Sequence, residues 1–172
     1  FVGCDDERVI LINSFSKTYA MTGWRIGYIL SANKEAMAQM VKIQYYITAC
    51  SNDAMQYAVL EAINEADDYP DEMCAEFKAR RDLICSRLNS MPGVQCHVPE
   101  GAFYVFPKVE VPGMNSEQVA LELLKGGVLC SPGSAFGPSG EGHLRFAYTI
   151  SREDISRGMD KTEAVLKSLR GD

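Results

Sequence analysis

One lysine, two serine hydroxyls and one arginine fall close together in Ser14-Phe15-Ser16-Lys17-Thr18-Tyr19-Ala20-Met21-Thr22-Gly23-Trp24-Arg25. Lys17 follows directly on the apolar run Val9-Ile10-Leu11-Ile12, and no carboxylate stands between Glu7 and Glu35. An amine held among apolar and hydroxyl neighbours has its charge disfavoured and its pKa lowered. That is the condition for a nucleophilic, imine-forming lysine, although most lysines are solvated surface residues. Ser14, Ser16 and Arg25 around one turn make an anion pocket, since a guanidinium can grip a phosphate through two parallel hydrogen bonds. Strand-end serines and an arginine paired with an acid are the plainer alternative. A second arginine, Arg145, sits inside the apolar run Leu144-Arg145-Phe146-Ala147. A buried arginine is costly unless paired, so either a structural ion pair or a bound carboxylate is expected there.

The remaining chemistry-bearing residues exclude more than they propose. The six cysteines (Cys4, Cys50, Cys74, Cys85, Cys96, Cys130) form no C-x-x-C pair, and neither His97 nor His143 stands at ligand spacing from one. No zinc or other metal site is expected, and buried reduced thiols are the expectation for cysteines in apolar contexts. The glycines from Gly133 to Gly142 do not follow a strand and open a helix, so they are no dinucleotide fingerprint. A net charge of -6 provides no basic field for nucleic acid. No apolar run approaches the ~20 residues of a membrane span. No signal peptide is visible, and a cytoplasmic location is expected.

The elements that must position these residues alternate between strand and helix. Strands are expected over 9–13 and 24–30, with the lysine stretch connecting them as buried strands. Helices follow over 34–46 and 54–65, then, after the acidic break Ala66-Asp67-Asp68-Tyr69-Pro70, a long helix over 72–91 that Pro92-Gly93 stops. Strands are read at 94–98, 102–109, 128–130 and 144–149. Ser116 and Ser151 are read as caps of helices reaching Leu124 and Leu169. Mixed helices and strands make the class α/β. The break at 67–70 is the expected domain boundary. The chain opens at Phe1 almost directly in strand-like sequence, so it is expected to be a piece whose missing half is N-terminal.

Ser14-Phe15-Ser16-Lys17, seven residues, then Arg25-Ile26-Gly27 resembles the lysine signature of class I/II aminotransferases, fold type I enzymes dependent on pyridoxal 5′-phosphate. Thr22-Gly23-Trp24-Arg25-Ile26-Gly27-Tyr28 is similar to the aspartate aminotransferase-like branch. Pro132-Gly133-Ser134-Ala135-Phe136-Gly137 and Gly142-His143-Leu144-Arg145 resemble the family's C-terminal region. The resemblance spans essentially the whole chain but less than half of a family member, its C-terminal portion. It implies the last strands of the large cofactor-binding domain over 1–32, bridging helices over 33–66 and the α/β small domain over 67–172. It also implies that Lys17 carries the cofactor as a Schiff base, that Ser14, Ser16 and Arg25 hold its phosphate, and that Arg145 binds the substrate α-carboxylate. Gly101-Ala102-Phe103-Tyr104 resembles a segment near the substrate, with Tyr104 read as core. Ser51 and Asn52 fall where family members meet the partner subunit.

The implied activity is ping-pong amino-group transfer from an L-amino acid to a 2-oxo acid, by a homodimer in the full-length parent. The aspartate that pairs with the pyridine nitrogen and the aromatic that stacks on the ring lie outside the match. The isolated chain is therefore expected to be inactive. The alternatives are a carbon–sulfur lyase or synthase of the same fold, the effector domain of an aminotransferase-like transcription regulator, or a fragment that folds without binding cofactor.

Overall fold

The computed structural model describes residues 5–66 and 68–171. The chain divides into two compact units, Phe1–Met73 and Cys74–Asp172.

The first unit opens with the hairpin of β1 (Leu11–Ser14) and β2 (Gly27–Leu30), antiparallel, with Leu11 opposite Leu30 and Ser14 opposite Gly27. The short helix α1 (Phe15–Thr18) and a 3-10 turn (Thr22–Trp24) make the connection. The strand expected from Trp24 starts only at Gly27, because Arg25 adopts the left-handed conformation (φ 55°, ψ 48°) and breaks the extended run. A Cβ on Gly27 would stand 2.6 Å from the carbonyl oxygen of Asn13, so this close crossing of the strands excludes a side chain. Helix α2 (Lys34–Thr48) begins where the Asn33 side chain accepts from the Ala36 N–H at 2.9 Å. Helix α3 (Asp53–Glu65) begins the same way at Asn52, through the Met55 N–H. Each cap satisfies an N–H that has no partner within its helix.

Burial in this unit departs from the sequence expectation. Among its described residues only Ile26 and Val59 are buried, whereas Ile12 is 72% exposed and the α2 residues Tyr46 and Ile47 reach 78% and 70%. Apolar strand residues become buried only when a second layer covers them. The helices of this unit offer that to very few side chains.

The second unit carries α4 (Tyr69–Asn89), whose first turn lies in the first unit, with α5 (Ser116–Lys125) and α6 (Arg152–Arg170). Its strands are β3 (Val94–Gln95), β4 (Tyr104–Val105), β5 (Lys108–Val109), β6 (Ser131–Pro132) and β7 (Leu144–Ala147). They pair antiparallel as a β3–β5 ribbon and a three-stranded sheet ordered β4–β7–β6. The class is α/β, as the sequence indicates. Several boundaries shift for local reasons. Helix α4 starts at Tyr69 rather than Glu72, since Pro70 is tolerated in a first turn where its missing N–H would have no partner. The single strand expected over 102–109 is split into β4 and β5, with Pro107, which lacks a donor, between them. The strand expected at 128–130 forms instead at Ser131–Pro132, and Leu129 is 82% exposed. Asn115, not Ser116, caps α5: its side chain accepts from the Gln118 N–H while the Gln118 side chain returns to the Asn115 N–H.

The core of this unit joins Leu88 of α4, Leu123 of α5, Leu144 and Phe146 of β7, and Ile155 and Leu166 of α6. Leu88 and Leu123 are both fully buried. Leu123→Ala is expected to lower unfolding free energy by about 2–5 kcal/mol, the usual range for a buried leucine. Leu121 on the same helix is 52% exposed, so Leu121→Ala should move the denaturant midpoint little. Equal losses at both positions would contradict this assignment of the core face.

Candidate functional site

In the first unit the end of β1 delivers the hydroxyls. Ser14 closes the strand and caps α1, accepting from the Ser16 N–H at 3.2 Å, while its own N–H donates to the Asn13 side chain at 2.8 Å. The Thr22 hydroxyl donates to the Ser16 carbonyl at 2.9 Å, and Arg25 Nη1 donates to the Thr22 carbonyl at 2.8 Å. Thr22 therefore ties the serine turn to the arginine through backbone oxygens. A left-handed Arg25 costs conformational energy that a glycine would not. Strained residues of this kind persist where surrounding structure over-determines them. Here the Gly27–Ser14 pairing and the Thr22 carbonyl do so. Phe15 packs against Tyr28 at 5.4 Å between ring centroids, fixing α1 over β2.

Ser14, Ser16 and Arg25 line one cavity of about 660 Å³ with Tyr28, Tyr45 and Ser51. Two hydroxyls and a guanidinium on one wall are the donor set that a phosphate monoester takes. The wall includes Gly27, where no side chain intrudes. Lys17 stands on α1 between Ser16 and Thr18 and is exposed. The hairpin beside it is itself open to solvent, with Ile12 of β1 exposed. Ser51 lines the cavity and Asn52 caps α3. The turn before them is strained, with Ala49 at φ 59°, ψ −65°.

Arg145 belongs to the second unit. It lies on β7 opposite Ser131 of β6, and its Nη2 reaches the Ser131 hydroxyl at 3.4 Å. No ion pair among the described residues includes Arg145. Its guanidinium carbon instead lies over two rings, 4.6 Å from the centroid of Tyr104 and 4.4 Å from that of Phe136. The structural ion pair offered as the alternative for Arg145 is therefore not formed here. Tyr104, read from sequence as core, is half-buried beside a charge. Phe136 carries no role in the sequence reading; its signal there is a lone aromatic between Gly133 and Gly137.

That loop is anchored by Glu141. Its carboxylate accepts from the Ser116 N–H at 2.7 Å, the Ser116 hydroxyl at 3.0 Å and the Gly142 N–H at 2.9 Å. These bonds favour the charged form, the Ser116 N–H first, and hold the Glu141 pKa below its ordinary value. A depressed folded-state pKa means that Glu141 stabilises the fold fully above its unfolded pKa of about 4.3. The contribution fades as pH falls through the lower folded value. Glu141→Gln should therefore melt at lower temperature than wild type at pH 7, with the gap narrowing below about pH 4.5. A gap independent of pH would show that the bonds do not depend on the charge.

Cys85 and Cys96 are buried, with sulfurs 3.8 Å apart, and burial pushes the Cys96 thiol up to about 12 and Cys130 up to about 11. These are inert packing thiols. Cys50 and Cys74 are exposed, against the expectation of burial, and Cys4 lies outside the described residues. No cluster of metal-ligating side chains occurs among the described residues, and none of their helices is long and apolar enough to cross a membrane.

With this geometry in place, comparison with known proteins is specific. The family model described as aminotransferase class I and II matches residues 1–161. An aspartate aminotransferase of Pyrococcus horikoshii is 40% identical over 94% of this chain and 42% of its own length. Aromatic-amino-acid aminotransferase 2 of Thermococcus litoralis is also 40% identical, over 95% of this chain and 42% of its own. The crystal structure of an aromatic aminotransferase from Pyrococcus horikoshii superposes with a TM-score of 0.87 at 39% identity, covering 94% of this chain and 44% of that one. The chain thus spans less than half the length of these relatives.

Proposed function

We propose, from the premise that the chain belongs to the class I and II aminotransferase family, that it is the C-terminal part of a pyridoxal-phosphate-dependent aminotransferase. In this reading residues 1–32 belong to the large cofactor-binding domain, 33–66 are bridging helices and 67–172 form the small domain. The parent acts as a cytoplasmic homodimer. The observation that carries the reading is that Ser14, Ser16 and Arg25 line one cavity, with Lys17 following Ser16 on α1.

Ser14 and Ser16 would donate hydroxyl hydrogen bonds to the cofactor phosphate, and Arg25 would neutralise it. Arg25 Nη1 is already committed to the Thr22 carbonyl, which orients the guanidinium and leaves its other donors for the anion. Lys17 Nζ would hold the cofactor covalently through its aldehyde carbon. The free Lys17 amine would take the proton from the substrate Cα as general base and give it back, as general acid, on the far side of the transferred nitrogen. The cofactor, when bound, supplies the electron sink that makes a carbanion at Cα accessible. Arg145 would bind the α-carboxylate of the amino acid and, in the second half-reaction, that of the 2-oxo acid. One guanidinium serves both because both carry the carboxylate on the reacting carbon. Relatives named for aspartate and for aromatic amino acids are equally similar to the chain, so the side-chain preference is not part of this proposal.

The test is covalent trapping. Pyridoxal phosphate is added to the full-length parent, the imine is reduced with borohydride, and the modified peptide is mapped. A single adduct on Lys17 is expected. No adduct, or one on another lysine, would overturn the assignment. With an amino donor and 2-oxoglutarate, the parent should turn over and the isolated chain should not.

A further inference from the structure

The Arg145 side chain poses a physical problem that its surroundings answer. A guanidinium meant to receive a carboxylate must be held still, yet an acidic neighbour that held it would occupy the same N–H donors. Ring faces attract a cation without taking its hydrogen-bond donors, which lie in the guanidinium plane. Arg145 has two such rings, with centroids 4.6 and 4.4 Å from its guanidinium carbon, no ion pair among the described residues, and one long bond to Ser131.

The rings come from separate elements. Tyr104 lies on β4 opposite Ala147, which makes it the diagonal cross-strand neighbour of Arg145 on β7. Phe136 comes from the 3-10 turn Gly133–Phe136 and is 51% exposed. Phe136 is braced in turn: its edge meets Phe106 at 5.9 Å and 85°, and Phe106 stacks on His143 at 5.1 Å and 8°. Phe136 keeps about half its surface in solvent, so its contact with Phe106 accounts for only part of its placement, and the Arg145 charge 4.4 Å from its ring accounts for the rest.

We infer that Tyr104 and Phe136 are positioning residues that hold the Arg145 guanidinium by its faces and keep its donor edge available to the substrate α-carboxylate. The inference rests on Arg145 being that carboxylate's ligand. It adds to that reading that the loop carrying Phe136 sets affinity for both substrates at once.

The experiment uses the full-length, cofactor-loaded parent. Phe136→Leu is expected to raise KM for the amino donor and for the 2-oxo acid by about 5- to 30-fold, with kcat within about twofold. Phe136→Met, which keeps bulk but no ring face, should behave like Phe136→Leu, whereas Phe136→Tyr and Tyr104→Phe should keep wild-type KM. The dissociation constant of maleate, a dicarboxylate with no amino group to react, should weaken by the same factor in calorimetry. An unchanged KM in Phe136→Met, a fall in kcat at constant KM, or failure of Phe136→Tyr to rescue would each overturn the clamp. Should Phe136→Leu lose its circular dichroism, Phe136→Met decides. Arg145→Gln separates the two levels. If it leaves KM and maleate binding untouched, the carboxylate assignment falls and the clamp with it. If it weakens both while Phe136→Met does not, only the clamp falls.

Discussion

Lys17→Ala in the full-length parent is expected to reduce kcat by about a thousandfold or more, because in the proposed mechanism one amine both holds the cofactor and moves the Cα proton. Proton transfer alone accounts for a loss of about 10²–10⁴. Lys17→Arg should not restore the rate, since a guanidinium stays protonated throughout the accessible pH range and cannot act as a base. Cofactor binding should survive far better than turnover: the proposed phosphate donors Ser14, Ser16 and Arg25 remain, and the Ser16 N–H bond to Ser14 and the Thr22 bonds to Ser16 and Arg25 still order the turn. Arg25→Lys should show the reverse pattern. It exchanges a planar fork for a point charge and gives up the bond to the Thr22 carbonyl, so affinity for the cofactor should fall while the rate at saturation is largely kept. Steady-state kinetics with cofactor titration measures both. A Lys17→Ala enzyme that kept more than about a tenth of wild-type kcat would remove Lys17 from the chemistry.

What could be read from the sequence follows from which features are local. The long helices are legible because each carries its period and its start signal within a few residues, as with Asn33 before α2 and Ser151 before α6, whose side chain accepts from the Asp154 N–H. The lysine stretch stands out because Ser14, Ser16, Lys17 and Arg25 lie within twelve residues of one another. Burial of β1 was not legible, because an apolar run states what a strand suits rather than what covers it; Ile12 fits a core and is 72% exposed. The surroundings of Arg145 were not legible either. Tyr104 stands far from Arg145 in sequence, and Phe136, though in the preceding loop, reaches it only through a course that depends on the close approach of Gly133 and Gly140. An arginine in an apolar strand signals a cost. It does not say whether a carboxylate or an aromatic ring meets that cost.

Gly133→Val tests how far the loop governs the second unit. A Cβ at Gly133 would lie 2.0 Å from the Gly140 carbonyl oxygen and 2.7 Å from that of His143, and one at Gly140 would lie 2.0 Å from the Gly133 oxygen. These are backbone atoms, so no rotamer change relieves the clash. The loop must open. Opening breaks the Gly133 N–H bond to the His143 carbonyl at 2.8 Å and strains the neighbouring pairing of Ser131 with Arg145 and of Pro132 with Leu144. It also moves Ser134, whose N–H lies 3.4 Å from the Ser116 hydroxyl, away from the Glu141 anchor. Gly133→Val is therefore expected to cost about 3 kcal/mol or more, as overpacking against an unyielding neighbour does. Gly158 is the control. It lies inside α6 and a Cβ there meets nothing within 4 Å, so Gly158→Ala should stabilise by about 0.5–1 kcal/mol through helix propensity. Denaturant unfolding followed by circular dichroism ranks the two. A Gly133→Val midpoint equal to wild type would mean that the loop rearranges freely, and that neither the glycine contact nor the Phe136 placement built on it is fixed by the fold.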